Sequence, residues 1–289
     1  MEGMSKPYER VHAHVTEEPT PGQRVYRHSI AARTAHWLWT LAMLVLVMSG
    51  LQIFNAAPYL DASYKTDPQH RILAFDAEMG PNNQPVGTTT IFGHTFVTTH
   101  LLGFTADGSG GESPRAFPAS ITLPAVQDLA DGRLWHLFFG WVLLLAIVLY
   151  LVVGAIRKDL REVILRPSDV PKLLPMQLYY LRLRPEPPPH GKYNPLQKAA
   201  YTLVLFVFIP LIILTGLALS PGADASLPWL TWVFGGRQFA RTWHFILMSI
   251  LIVYFCVHMV LVFMNGPINN ILAMITGWYK LGKNDGVGV

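Results

Sequence analysis

Cysteine is almost missing from this chain: of 289 residues only Cys256 is one, and it lies inside a long apolar run. No disulfide can close a loop, no Cys-x-x-Cys-His is there to attach haem covalently, and no cysteine set exists for an iron–sulfur cluster. Charge is sparse as well. Asp, Glu, Lys and Arg make up 14% of the residues, against roughly a quarter in a soluble domain. The apolar runs contain no Asp or Glu at all, which argues against a cation channel or transporter, where carboxylates offset the cation's charge. No repeat or low-complexity tract stands out.

What is abundant is apolar sequence: 51% of the chain is hydrophobic, gathered in four stretches at about 36–54, 134–156, 196–219 and 242–264. Each reaches the ~20 residues that cross a hydrocarbon core of ~30 Å. The expected fold is an all-α integral membrane protein, a bundle of four transmembrane helices over 28–264. It leaves a tail at 1–27, a long loop at 55–133, a second loop at 157–195 and a tail at 265–289. The first span follows more than thirty residues with no cleavage site apparent after it, so it reads as a retained helix rather than a signal peptide. Sixteen Lys and Arg fall before the first span (Arg33 included), after the last span and in the 157–198 segment, against six in the other two loops. That bias puts both termini in the cytoplasm and the 55–133 loop outside. Trp37 and Trp39 then sit at the inner interface, and Trp135, Trp229, Trp232 and Trp243 at the outer one.

His244 and His258 share the fourth stretch, 14 residues apart. In a helix that is ~21 Å of rise and nearly four turns, so both rings leave one face. Polar rings in hydrocarbon need partners. His36 opens the first span on the cytoplasmic side and His136 the second on the outer side, so the four sort by depth into His136 with His244 and His36 with His258. Each pair can supply the two axial ligands of a low-spin b-type haem. A lone histidine at a helix end is more often an interfacial polar residue; the matched depths are what favour ligation. His12, His14, His70 and His190 lie in polar segments, and His28 precedes His36 by eight residues, too far out to be level with His258. His94 and His100 read as loop surface or a docking patch rather than a third metal site. Gly140, Gly50 and Gly216 remove side chains where a macrocycle or a helix must come close. Arg33, Arg133 and Arg241 each precede a candidate ligand by three residues, suited equally to haem propionates and to lipid phosphate.

Arg33-Thr-Ala-His36-Trp37, Arg133-Leu-Trp-His136, Lys192-Tyr193-Asn194-Pro-Leu-Gln197-Lys198 and the His244…His258 spacing resemble the bacterial cytochrome b561/nickel-hydrogenase b-type cytochrome family. That family includes the gamma subunit of respiratory formate dehydrogenase. The resemblance runs through all four spans, roughly 27–262. It implies a cytochrome of the bacterial inner membrane with two haem b groups on His36, His136, His244 and His258. It also implies electron transfer between a periplasmic redox partner and the quinone pool, menaquinone or ubiquinone, in a respiratory chain. Asn194 and Gln197 become candidates for hydrogen bonds to a quinone carbonyl, although a Tyr-Asn-Pro-x-x-Gln run reads equally as a helix start with Asn194 as its cap. The alternative within the family is a stand-alone di-haem quinone oxidoreductase that oxidises superoxide.

The 55–133 loop is much longer than the formate dehydrogenase type suggests. Its length resembles members associated with molybdenum-dependent oxidoreductases of the sulfite-oxidase or thiosulfate-reductase kind; a hydrogenase or a cytochrome c-like protein are the other partners implied. Rich in Gly and Pro, it reads as irregular chain with a short helix at 121–129. An interfacial helix is expected at 170–183, then a stiff spacer at 185–189, and a surface-lying stretch at 268–281.

Overall fold

The computed structural model describes residues 22–191 and 193–281. His12, His14, Lys192 and the ends of both tails lie outside the described residues. Four helices are long and apolar enough to cross a membrane: Ile30–Phe54, Leu129–Ile156, Pro195–Leu219 and Arg237–Met264. The second shows why water is the wrong solvent for them. Leu134, Phe138, Trp141, Leu145, Val152 and Ile156 are exposed at helical spacing, an apolar stripe that only lipid accommodates.

Each helix begins and ends where local chemistry directs. The first starts six residues before the span read from hydropathy, because the Ser29 hydroxyl accepts from the N–H of Ala32 (3.2 Å). Asp128 caps the second, its carboxylate accepting from the N–H groups of Ala130 and Asp131 (2.9 and 3.0 Å). The third has Asn194 as cap and Pro195 in its first turn, as its sequence predicts. Midway it opens into a π-helical turn, Val204–Phe208, just ahead of Pro210; proline lacks the N–H that would continue the regular ladder. The fourth stops at Asn265 and Gly266, the latter at φ 84°, before Pro267.

Contacts divide the chain into two compact units, and each long helix contributes to both. Among the described residues, one unit comprises 22–36, 148–191, 193–206 and 254–281. There strand β1 (Arg24–Tyr26) pairs antiparallel with the strand Trp278–Lys280, so the chain enters its first span and leaves its last on the same side. Arg27 stacks on the Tyr279 ring at 4.5 Å. The expected interfacial helix is a 3-10 turn at Pro167–Lys172 running into a helix at Leu173–Tyr180, and the stretch expected to lie along the membrane holds the helix Pro267–Thr276.

The other unit, 37–147 and 207–253, overturns the expectation of an irregular long loop. Strands β2 (Tyr59–Asp61), β3 (Arg71–Met79), β4 (Pro85–Ile91) and β5 (His94–Val97) form an antiparallel sheet in sequence order. The pair β6 (Phe104–Ala106) and β7 (Glu112–Pro114) follows. A two-residue turn, Phe92-Gly93, joins β4 to β5 with both φ positive, 47° and 82°. The expected helix at 121–129 is instead a 3-10 turn at Ala119–Ile121, and Asp128 restarts the chain.

Two devices tie this loop to the helix ends. Phe54, Leu60, Phe75 and Ala116 form a core with Phe117 and Phe245 packed against it. Arg115, 3% exposed, places all five N–H groups on neutral acceptors. Its Nε donates to Phe117 O (2.8 Å), Nη1 to Asp107 O and Ala125 O (3.1 and 3.0 Å), and Nη2 to Gln52 Oε1 and Thr122 Oγ1 (3.2 and 2.9 Å).

Candidate functional site

In the unit that carries the sheet, His136 of the second span and His244 of the fourth face each other with ring centroids 6.1 Å apart and planes at 65°. Both rings are pinned from behind. Ser49 of the first span is fully buried; its hydroxyl donates to Val45 O (2.7 Å) and so accepts from His136 Nδ1–H (3.1 Å). Thr215 of the third span, also fully buried, donates to Leu211 O (2.9 Å) and accepts from His244 Nδ1–H (2.9 Å). A glycine follows each hydroxyl residue. A Cβ on Gly50 would stand 3.3 Å from His136 Cε1, and one on Gly216 would stand 3.2 Å from His244 Cε1. With Nδ1 protonated and engaged, Nε2 of each ring keeps its lone pair. Sequence reasoning picked out the two glycines and missed the hydroxyls. The signal was there, since Ser49-Gly50 and Thr215-Gly216 occupy matching positions near the ends of two spans.

In the other unit, His36 and His258 face each other at 6.5 Å with planes at 51°. The Tyr254 ring stacks on His258 at 6.1 Å and 26°. A cavity of about 30 Å³ lies among Arg27, His28, Ser29, Ala32, Tyr150, Asp159, Glu162 and Tyr193. It is large enough for water and far too small for a quinone ring. Ser29, Ala32 and His36 are spaced by three and four residues, so the cavity lies on the face of the first span that carries His36. Burial pushes the Tyr193 phenol up to about 12, with Glu162 and Asp159 adding to the effect and Arg27 opposing it, so it stays a neutral O–H donor at physiological pH.

The other predicted residues divide. Asn194 and Gln197 form a capping box: Asn194 Oδ1 accepts from Gln197 N–H (2.9 Å) and Gln197 Oε1 from Asn194 N–H (3.0 Å). Asn194 Nδ2 donates to Tyr180 OH (3.0 Å). The Arg33 guanidinium donates to Ile275 O. Arg241 donates to Ala57 O and stands over the Phe54 ring at 5.0 Å. Arg133 is exposed. His28 precedes the first helix and lines the cavity; His94 opens strand β5, exposed, and His100 Nδ1 pairs with Glu112 Oε1 at 2.7 Å. A Cβ on Gly140 would meet nothing within 4 Å, so helix packing does not account for that glycine.

Membrane-length helices carrying two pairs of facing imidazoles define a class, a multi-pass membrane protein with paired histidine sites. Residues 27–277 match the family described as prokaryotic cytochrome b561, and the chain belongs to that family. It is a b561-type membrane cytochrome of the bacterial inner membrane, it binds haem b, and it works in electron transport. A protein of Azospira oryzae, named a putative protein-methionine-sulfoxide reductase subunit YedZ1, is 27% identical over 252 residues, spanning 85% of this chain and 93% of its own length. No solved structure matches the chain.

The histidine pairs fit the group the family binds. With ~2.0–2.1 Å from each imidazole nitrogen to a shared metal, and ~1.1 Å from nitrogen to ring centre, two axial rings stand ~6.3 Å apart. The observed 6.1 and 6.5 Å bracket that value. The donor set agrees as well. No group of three or more His, Cys, Asp or Glu able to hold a metal occurs among the described residues, so a bare ion would lack ligands, whereas a metal carrying its own equatorial nitrogens needs only two.

Proposed function

We propose that this chain is a di-haem b-type cytochrome subunit that transfers electrons between a periplasmic redox partner and the quinone pool. The observation that carries the reading is the twofold occurrence of facing imidazoles at axial-ligand separation. His136 and His244 would hold one haem and His36 and His258 the other, within a domain spanning 28–264. Haem b supplies reversible one-electron chemistry at its iron. The chain's own part is to fix ligand tautomers through Ser49 and Thr215, to keep the rings in an apolar surround, and to meet the propionates with Arg133 and the remaining N–H groups of Arg33 and Arg241.

The excess of Lys and Arg in the tails and the 157–198 segment supports a cytoplasmic position for both termini, and with them the His36–His258 pair. Quinone is assigned to that side. Gln197 Nε2, which has no bond among the described residues, is the amide group suited to its carbonyl, while Asn194 holds the helix start. Asp159, Glu162 and His28 around the cavity would draw protons from the cytoplasm. The relative's name describes a subunit of a reductase, which favours a separate catalytic partner over stand-alone activity. Of molybdenum-dependent, hydrogenase and cytochrome c-like partners, the folded loop suits a docked oxidoreductase on the periplasmic face.

The test is a pyridine haemochrome and redox titration of the purified protein, repeated on His36→Ala, His136→Ala, His244→Ala and His258→Ala. Two b haems are expected in the wild type, and one lost from each variant. A colourless protein, or variants that all keep both centres, would overturn the reading.

A further inference from the structure

The His136–His244 pair is held by a device repeated on two helices, and nothing about binding a haem requires the repeat. On each side a fully buried hydroxyl accepts from Nδ1–H and donates its own O–H to a carbonyl one turn back, while the following glycine lets the Cε1 edge lie against the helix. Each ring is thus fixed at the edge away from its partner, and only Nε2 is left to bind. A hydroxyl already donating to a carbonyl is a stronger acceptor. Such an acceptor on Nδ1–H raises the basicity of the ligating nitrogen and favours the oxidised, more positive metal.

We propose that Ser49 and Thr215 are positioning residues that set the reduction potential of the haem held by His136 and His244, lowering it relative to a site without them. The inference rests on that pair being axial ligands. An order-of-magnitude bias in the ferric-to-ferrous equilibrium per hydroxyl is the effect sought, at the lower end of what second-shell partners contribute; for one electron that is ~59 mV.

The experiment is optical redox titration of the full-length protein in detergent with both haems loaded, comparing Ser49→Ala, Thr215→Ala, Ser49→Thr and Thr215→Ser. Ser249→Ala is the control, because Ser249 donates to Phe245 O (2.9 Å) in the same way but makes no hydrogen bond to a ligand histidine among the described residues. Each alanine variant is expected to raise one of the two midpoint potentials by about that amount and leave the other where it was. The hydroxyl exchanges should restore it. Selective loss of one haem in an alanine variant, reversed by the hydroxyl exchange, supports the same role. Unchanged midpoints in both alanine variants, or shifts no larger than that of Ser249→Ala, overturn it. A wild-type protein that binds no haem, or a His136→Ala variant that keeps both, would instead reject the ligand reading beneath it.

Discussion

Replacing Arg115 with leucine removes the single side chain that gathers the most of the long loop. In the wild type its guanidinium serves five acceptors, three of them backbone carbonyls. Each acceptor left dry would cost ~1–3 kcal/mol, but water reaches some of them once the loop loosens. With part of the five acceptors rehydrated, a net loss of about 3–5 kcal/mol follows. Lysine offers three N–H groups in place of five, so Arg115→Lys should lose about half as much. Limited proteolysis of the detergent-solubilised protein, with cuts mapped across 107–125, reads this directly, since cleavage tracks the population of the open loop. At ~1.4 kcal/mol per tenfold, Arg115→Leu should be cut roughly 100- to 4,000-fold faster, and Arg115→Lys should fall between it and the wild type. Cleavage of the leucine variant within a few-fold of wild type would refute the assignment of Arg115 as the clamp.

Three further outcomes are expected. Gly216→Leu should displace His244, because even a Cβ would stand 3.2 Å from Cε1, and one b-haem absorbance should fall. Asn194→Ala should cost about 1 kcal/mol through loss of the cap, seen as a lower melting temperature with both haems retained. For Asp169, burial pushes the carboxyl up, but hydrogen bonds from Lys198 and the Arg166 N–H, with the charges of Lys198 and Lys172, hold it below its ordinary value. Its stabilisation is complete above that ordinary value and is lost only as pH falls through the lowered one, so the stability gap to Asp169→Asn should stay flat from about pH 8 to about pH 5. A gap that closes within that window would contradict the assignment.

The helices and the pairing of the histidines were legible because membrane burial writes itself into long uncharged runs and because depth along a helix is arithmetic on residue number. His36 with His258 and His136 with His244 followed from those two facts alone. The caps at Asn194 and the stop at Gly266 were legible for local reasons. The sheet in the long loop was not. Its glycines and prolines suggested irregular chain, yet Gly87-Thr-Thr-Thr-Ile91 and His94-Thr-Phe-Val97 flank a two-residue Phe-Gly turn, a hairpin signature outweighed by composition. Arg115 was hidden because its partners are mostly carbonyls, which leave no mark in the sequence. The hydroxyls behind the histidines were hidden because contact across helices depends on rotation, which hydropathy does not report.

The aromatic core under the sheet joins parts of the chain that are made far apart in time. Phe75 and Phe117 come from the loop, whereas Phe245, whose ring lies 5.0 Å from that of Phe54, belongs to the last long helix. During biosynthesis the loop must therefore wait, its apolar floor unfinished, until the last long helix has been made. Maturation of that unit becomes a checkpoint on completion of the chain, and a chain stalled before Phe245 would leave this surface unsealed.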